Sequence, residues 1–275
     1  MMNFTVNQDR CTNCGLCGKD CPVLIIDCKG DFPKIKEGKE KNCLKCQHCM
    51  AICHSGAISI FDKQPEDSVS ISASIPKSEE LENLMQLRRS VRQFKKEEIE
   101  SDKIHQLLEK ASYAPTAKNE NGVHFVIAES RTQMDALKEL VYKTIQEKSD
   151  ANLIPERFQY LANFSKVWFA KQIDVIFRNA PHMVIASAPA NGTSPSTDCT
   201  IALSYFELLA NSQGISTLWD GFAHNVLQDV APELGKVLGV PEGHAVAMVM
   251  IFGYSARKYA RSIQHDGGNI TSLSL

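Results

Sequence analysis

Ten cysteines stand in this chain, and eight of them fall in two runs of one spacing. Cys11, Cys14, Cys17 and Cys21 read C-x2-C-x2-C-x3-C, and Cys43, Cys46, Cys49 and Cys53 repeat that pattern. Thiolates at successive third positions sit on one tight loop and wrap three corners of a cubane, so a fourth must come from elsewhere. Soft sulfur ligands suit iron–sulfur clusters and zinc alike. Zinc sites usually pair two C-x2-C knuckles across a longer spacer, which C-x2-C-x2-C does not leave. A disulfide framework fits poorly, because no secretory signal precedes the runs and the other cysteines are sparse. Two [4Fe–4S] clusters are the reading the spacing favours. Cys28 lies outside both runs and is expected to be a small buried packing group, with a spare ligand as the alternative. Cys199 is expected to be buried packing.

The elements that must position these thiols form a small module over residues 1–62. Phe4–Val6 and residues 57–61 read as short strands flanking the runs. Ile25 and Ile26 follow the first run as Ile58 and Ile60 follow the second, so the internal repeat extends beyond the cysteines. A module this small builds little apolar core, so its clusters are expected to supply much of its folding energy. Pro22 follows Cys21, but His54 follows Cys53 and is expected in a solvated turn. Residues 63–78 are rich in Ser, Pro and charge and read as a linker or strap, with Val69 and Ile71 suggesting an edge strand.

Residues 79–275 form a second domain. Leu81, Leu84, Met85 and Leu87 suggest a helix ending near Arg88 and Arg89. Ile104, Leu107, Leu108 and Ala111 follow helical spacing, with Ser101 as N-cap. A strand over residues 123–128 precedes a helix through Met134, Leu137, Val141 and Ile145, capped by Thr132. Residues 158–177 read as a helix, 182–186 as a strand, 201–209 as a buried apolar helix, 215–219 as a short strand and 244–252 as a central strand. Helices and strands mingle without a βαβ beat, which predicts an α+β fold, a mixed sheet flanked by helices. No G-x-G-x-x-G or Walker sequence is present.

The 275 residues suit one large or two ordinary domains, at about 150 residues each. Hydrophobic content of 43% and charged content of 23% are those of a soluble globular protein. A net charge of −2 offers no basic surface for nucleic acid or anionic membrane. Residues 1–10 contain no apolar stretch of a signal peptide, and no run reaches the ~18 apolar residues of a membrane span. The expected place is the cytoplasm.

Three further stretches could hold a phosphorylated planar cofactor. Arg88-Arg89-Ser90-Val91-Arg92-Gln93-Phe94 gathers three guanidinium groups around a hydroxyl, a set that matches phosphate bidentately. A basic helix end complementing the helix dipole is the plainer alternative. Residues 114–125, APTAKNENGVHF, form a polar loop in which Thr116 and Asn119 can bond ring heteroatoms, unless Pro, Asn and Gly simply make a turn. Residues 214–222, GISTLWDGF, run a strand into an Asp-Gly turn whose N–H groups can face a ring edge.

In this order and at these separations, the stretches resemble the FMN-dependent nitroreductase family over about residues 80–262. The resemblance includes DCTIALSYFELLANSQGISTLWDGF and VLGVPEGHAVAMVMIFGY with its basic tail. The N-terminal part resembles a two-cluster bacterial ferredoxin, in which the fourth Cys of each run serves the other cluster. That pattern implies one set of Cys11, Cys14, Cys17 and Cys53 and another of Cys43, Cys46, Cys49 and Cys21. The family implies that Arg88, Arg89, Ser90 and Arg92 contact the FMN phosphate and ribityl chain. It implies that Thr116 and Asn119 reach the FMN held mainly by a partner subunit, in a homodimer with FMN at the interface. The Asp220 and Gly221 N–H groups would sit near flavin N5 and O4, and Arg261 would reach the phosphate from the tail. The loop departs from the family's Asn-x-Gln-Pro-Trp, reading Asn119-Glu120-Asn121-Gly122-Val123.

The resemblance implies an oxidoreductase passing electrons from the clusters to FMN and on to a small electron-poor acceptor such as a nitroaromatic or quinone. Flavin N5 carries that chemistry, so no side-chain catalyst is expected. The donor would be a ferredoxin or NAD(P)H, and NAD(P)H use in the family has no strong sequence tag. An electron-transfer or redox-sensing flavoprotein serving a protein partner is the alternative. His124, His182, His224 and His244 are expected to be structural or surface groups.

Overall fold

The computed structural model describes residues 2–265 and 267–274. Its contacts divide into two compact units: the chain up to Pro76 with Lys118–Glu120, and Lys77–Ala117 with the chain from Asn121 onward.

In the first unit, β1 (Phe4–Val6), α1 (Leu16–Lys19), β2 (Ile26–Asp27), β3 (Lys34–Ile35), α2 (His48–Ala51) and β4 (Ile58–Ile60) precede a one-turn helix, α3 (Ile71–Ser74). β1 pairs antiparallel with β4, Phe4 opposite Ile60, and β2 with β3, Ile26 opposite Ile35. The internal repeat is visible in the backbone. Each four-residue helix carries the third cysteine of its run, Cys17 or Cys49, at its second position, and both are buried. Each is entered through a left-handed residue, Gly15 at φ 71° and Gln47 at φ 59°. Glycine takes that conformation freely, whereas a residue with a Cβ pays about 1–2 kcal/mol for it. Ile25, Ile26, Met50, Ile58 and Ile60 pack with Cys17, Cys21 and Cys49 in one apolar cluster. Around Ile71 the backbone is helical, not an edge strand, since none of the described strands pairs with it. His54 is exposed in a turn.

The second unit contains α4 (Ser78–Leu87), α5 (Ser101–Ala111), β5 (His124–Ala128), α6 (Arg131–Asp150), α7 (Tyr160–Lys171), β6 (His182–Pro189), α8 (Pro195–Ser212), β7 (Ser216–Trp219), α9 (Gly221–Asn225), α10 (Glu233–Val237) and β8 (His244–Gly253). One turn of π-helix, Val226–Val230, continues α9. Four strands form one antiparallel sheet in the order β5-β6-β8-β7. β6 and the second half of β8 are buried on both faces, and their side chains alternate between two cores. Met183, Ile185, Val249 and Ile251 face a core shared with α6 and α7. Val184, Ala186, Met250 and Phe252 face another shared with α5 and α8. The result is an α+β fold with the sheet between two helical layers.

Several boundaries differ from the sequence expectations for local reasons. Ser101 is the first helical residue of α5, and its hydroxyl bonds Glu129 instead of capping. Ser130, not Thr132, caps α6 through a reciprocal capping box with Gln133. The helix expected over 158–177 is a 3-10 turn, Glu156–Phe158, followed by α7, which stops at left-handed Gln172. Beyond it, buried Asp174 accepts hydrogen bonds from the Tyr142 hydroxyl and the Phe177 and Asn179 N–H groups, and so holds the loop to β6. Burial, with the Asp174 charge adding to it, raises the Tyr142 phenol's pKa.

Candidate functional site

Cys21 of the first run joins Cys43, Cys46 and Cys49 of the second around one cavity, with Ile25, Ile26, Ile35, Leu44 and Ile60 among its other walls. Burial pushes the Cys49 thiol up to about 11, and nearby Cys46, Cys43 and Cys21 add to the effect. An apolar pocket faced by four thiols is a poor place for free thiolate and a good one for thiolates neutralised by iron. In the first run, burial pushes Cys17 up to about 12, with Cys28 and Cys14 contributing. Cys14 is exposed and shifts the other way, because the Leu16 N–H and the Thr12 side chain favour its thiolate. The Cys53 sulfur accepts the Ala57 N–H at 3.3 Å, and Cys11 is half-buried. Among the described residues, no three His, Cys, Asp or Glu side chains stand together as a single-ion site.

In the second unit the basic stretch is fixed along the β7 side of the sheet. Ser90 bridges Thr217 of β7, and the Val91 N–H donates to the Thr217 carbonyl at 3.0 Å. Further on, the Lys95 N–H donates to the Tyr254 carbonyl and the Ala256 N–H to the Gln93 carbonyl. This lacing brings the C-terminal tail beside the arginines. Arg89 Nη2 donates to the Arg261 carbonyl at 3.1 Å, and its guanidinium lies over the Tyr259 ring at 4.8 Å. Arg89 Nε is buried and has no partner among the described residues. A buried cationic donor left unsatisfied is costly, and an added anion would satisfy it.

Arg88 is differently employed. Its Nη1 donates to Glu207 Oε1 at 3.2 Å. Glu207 lies within the apolar helix α8 and is only 5% exposed. It also accepts from the Thr217 hydroxyl at 2.9 Å and from Trp219 Nε1 at 3.0 Å. The Arg88 stretch, α8 and β7 therefore meet at one buried carboxylate that sequence reading passed over. A lone Glu inside an otherwise apolar helical face was the available signal, since such a charge needs partners. Arg92 is exposed, and its Nη1 donates to the Ser90 carbonyl.

At the end of β7, Asp220 caps α9 by accepting the Ala223 N–H at 3.0 Å. Its own N–H donates to the Val249 carbonyl at 2.9 Å and is thereby committed to the sheet. Gly221 opens the helix, and its N–H belongs to the unpaired donors of a helix start. Thr116 Oγ1 accepts the Asn121 N–H at 2.9 Å, and both residues line a cavity of about 360 Å³ with Ala111, Ala114 and Ala202. Asp198, at the start of α8, accepts the Ala117 N–H at 3.0 Å. Asn119 groups with the first unit, where its Nδ2 donates to the Leu44 carbonyl at 3.0 Å. Of the residues singled out from the sequence, the fold brings Arg89 against the Arg261 carbonyl and Ser90 against the strand leading to Asp220.

The histidines vary in setting. His182 is buried, accepts the Ile99 N–H at 2.8 Å and stacks on Phe252, and desolvation lowers its pKa. His124 and His244 meet edge to face at 6.1 Å, and burial followed by the His124 charge lowers His244. Cys199 is fully buried and pushed up to about 12, mainly by that burial.

Residues 85–254 match the nitroreductase family, and residues 4–27 match the 4Fe-4S binding domain. The chain belongs to the nitroreductase family of oxidoreductases and carries a 4Fe-4S binding domain ahead of it. A nitroreductase with bound FMN from Bacteroides fragilis is 25% identical, covers 71% of this chain and 99% of its own, and superimposes with a TM-score of 0.58. One from Desulfitobacterium hafniense, 20% identical with 71% and 98% covered and a TM-score of 0.54, shares the fold. A ferredoxin from Methanothermococcus thermolithotrophicus is 31% identical over 60 residues, which are 21% of this chain and 97% of that protein. Among the described residues, no helix is long and apolar enough to cross a membrane.

Proposed function

We propose that this chain passes electrons from two [4Fe–4S] clusters to an FMN and on to a small electron-poor acceptor, a nitroaromatic or a quinone. The observation that carries the proposal is the cavity faced by Cys21, Cys43, Cys46 and Cys49, an electron-carrying site on the same chain as a nitroreductase fold. It supports the crossed ligation, with Cys11, Cys14, Cys17 and Cys53 as the other set. The unpartnered Arg89 Nε supports an anion beside Arg261, and the FMN phosphate is the anion proposed.

FMN, when bound, supplies both one-electron and two-electron chemistry, which is what joins single-electron clusters to an organic acceptor. The protein's part is placement. Arg89 and Arg261 would hold the phosphate, with Ser90 and Arg92 along the ribityl chain. Arg88 acts through Glu207, fixing the stretch against β7 and α8. Gly221 would offer its N–H to the ring, while Asp220 keeps β7 and α9 in register. Thr116 and Asn119 serve the flavin of a second copy. Leu81, Met85 and Leu87 of α4 and Tyr259 and Ile263 of the tail are exposed apolar groups that a homodimer would cover. Light scattering should then give twice the 30.5 kDa of one chain.

Anaerobically purified protein should hold about eight irons and about one FMN per chain, and should turn over a nitroaromatic with dithionite or reduced ferredoxin. Stoichiometric zinc without acid-labile sulfide would overturn the cluster assignment. A cofactor-replete protein that reduces no small acceptor would overturn the proposed substrate class.

A further inference from the structure

Cys28 is the one cysteine of the first unit that the two runs leave unused. It directly follows β2, whose pairing with β3 fixes the backbone there. Its Sγ lies 3.8 Å from Cys17 Sγ, close enough for a sulfur–sulfur hydrogen bond. The neighbouring backbone is shaped around it. A Cβ on Gly18 would come within 2.7 Å of Cys28 Sγ, and one on Gly15 would stand 4.0 Å from Cys28 Cβ. Asn13 Nδ2 donates to the Asp31 carbonyl, which ties the loop after Cys28 to the first cysteine loop.

As free thiols, either sulfur can donate to the other. Iron changes that symmetry. A ligating Cys17 is a thiolate without a proton, so only Cys28 retains an S–H to give. We propose that Cys28 is a positioning residue of the first cluster. Its thiol donates a hydrogen bond to the ligating sulfur of Cys17 and raises that cluster's reduction potential. Reduction adds negative charge to the cluster and its sulfurs, and a donor aimed at a ligating sulfur stabilises the reduced form preferentially. The two clusters share one cysteine spacing, and the second run has no counterpart of Cys28. This donor therefore separates two otherwise similar potentials and orders the electron's path through them.

The inference rests on the cluster reading above, and the test keeps the two apart. Potentials are measured by EPR-monitored titration of the anaerobic holoprotein. In Cys28→Ala, one cluster should move to lower potential and the other stay in place, with iron and FMN contents unchanged. Cys28→Ser retains a donor and should recover most of the shift. Two cluster signals with no shift in Cys28→Ala would overturn the inference alone, as would a serine variant indistinguishable from the alanine one. Iron loss in Cys28→Ala would also overturn it, by making Cys28 a ligand. Wild-type protein without cluster signals would overturn both readings.

Discussion

Replacing Asp220 by Asn should make the second unit increasingly stable relative to the wild type as pH rises. Asp220 is 2% exposed. Its Oδ1 accepts the Ala223 N–H, while Oδ2 is buried without a partner among the described residues. Burial is the main force on this carboxyl. Asp174 adds to it, and the Ala223 and Phe222 N–H groups and Arg178 only partly oppose it. The carboxyl rises from an ordinary 3.8 to about 7. The folded protein therefore binds a proton that the unfolded chain has lost, wherever the pH lies between those values. That contribution to stability is fully present below 3.8 and disappears as pH climbs through about 7. At about 1.4 kcal/mol per pH unit, the whole span amounts to about 4 kcal/mol. Asparagine keeps the cap and carries no charge. It also places a buried N–H₂ where Oδ2 stood, at a cost of about 1–3 kcal/mol that does not depend on pH.

The variant and the wild type should thus be similar near pH 5 and diverge up to pH 7, where the variant becomes the more stable by about 1–3 kcal/mol. Both tryptophans, Trp168 and Trp219, lie in the second unit, so their fluorescence during anaerobic urea unfolding reports on it. Parallel stability curves from pH 5 to pH 8 would refute the reasoning, because they would show that Asp220 is ionised in the folded protein throughout.

Arg89→Ala should lower FMN occupancy and leave iron content unchanged, as flavin absorbance and iron assay on the same sample would show. Glu207→Ala should cost about 3–5 kcal/mol, since it strands Arg88 and the Thr217 and Trp219 donors at once, and a lower urea midpoint is the readout. Tyr142→Phe removes the hydroxyl that donates to Asp174 and accepts the Ile176 N–H. It should cost about 1–3 kcal/mol, with faster amide exchange over the loop before β6. Gly18→Ala should lower iron content through its clash with Cys28 Sγ, and the loss should be relieved in a Cys28→Ala background.

What the sequence revealed was mostly what a period or a spacing encodes. The cysteine runs, the two apolar central strands and the arginine stretch each repeat a local rule, so they can be read without knowing their neighbours. Glu207 could not be read that way. Its three donors come from Arg88, Thr217 and Trp219, which converge only when β7 forms and the 88–94 segment is laced to it. Asp174 is similar, because its partner Tyr142 lies a helix away. The capping of α6 is a different kind of miss, since Ser130-x-x-Gln133 is a local signature that was present in the sequence.

This convergence changes the meaning of the arginine stretch. As a sequence it offers three equivalent cations, but the fold assigns them different work. Arg88 answers a carboxylate that α8 buries, and releasing it would leave that charge uncompensated, so the core holds it in place. Arg92 is exposed and bonded to its own neighbour's carbonyl. Arg89 is half-buried like Arg88, but its Nε is a buried donor without a partner among the described residues, and it is the arginine against which the tail packs Tyr259 and the Arg261 carbonyl. Any anion bound there meets a guanidinium already oriented by the ring and the tail. The entropy of ordering that side chain is then spent in folding, not in binding. Selection of the proposed phosphate at this position would then follow from one prepared arginine held by its neighbours more than from the summed charge of three.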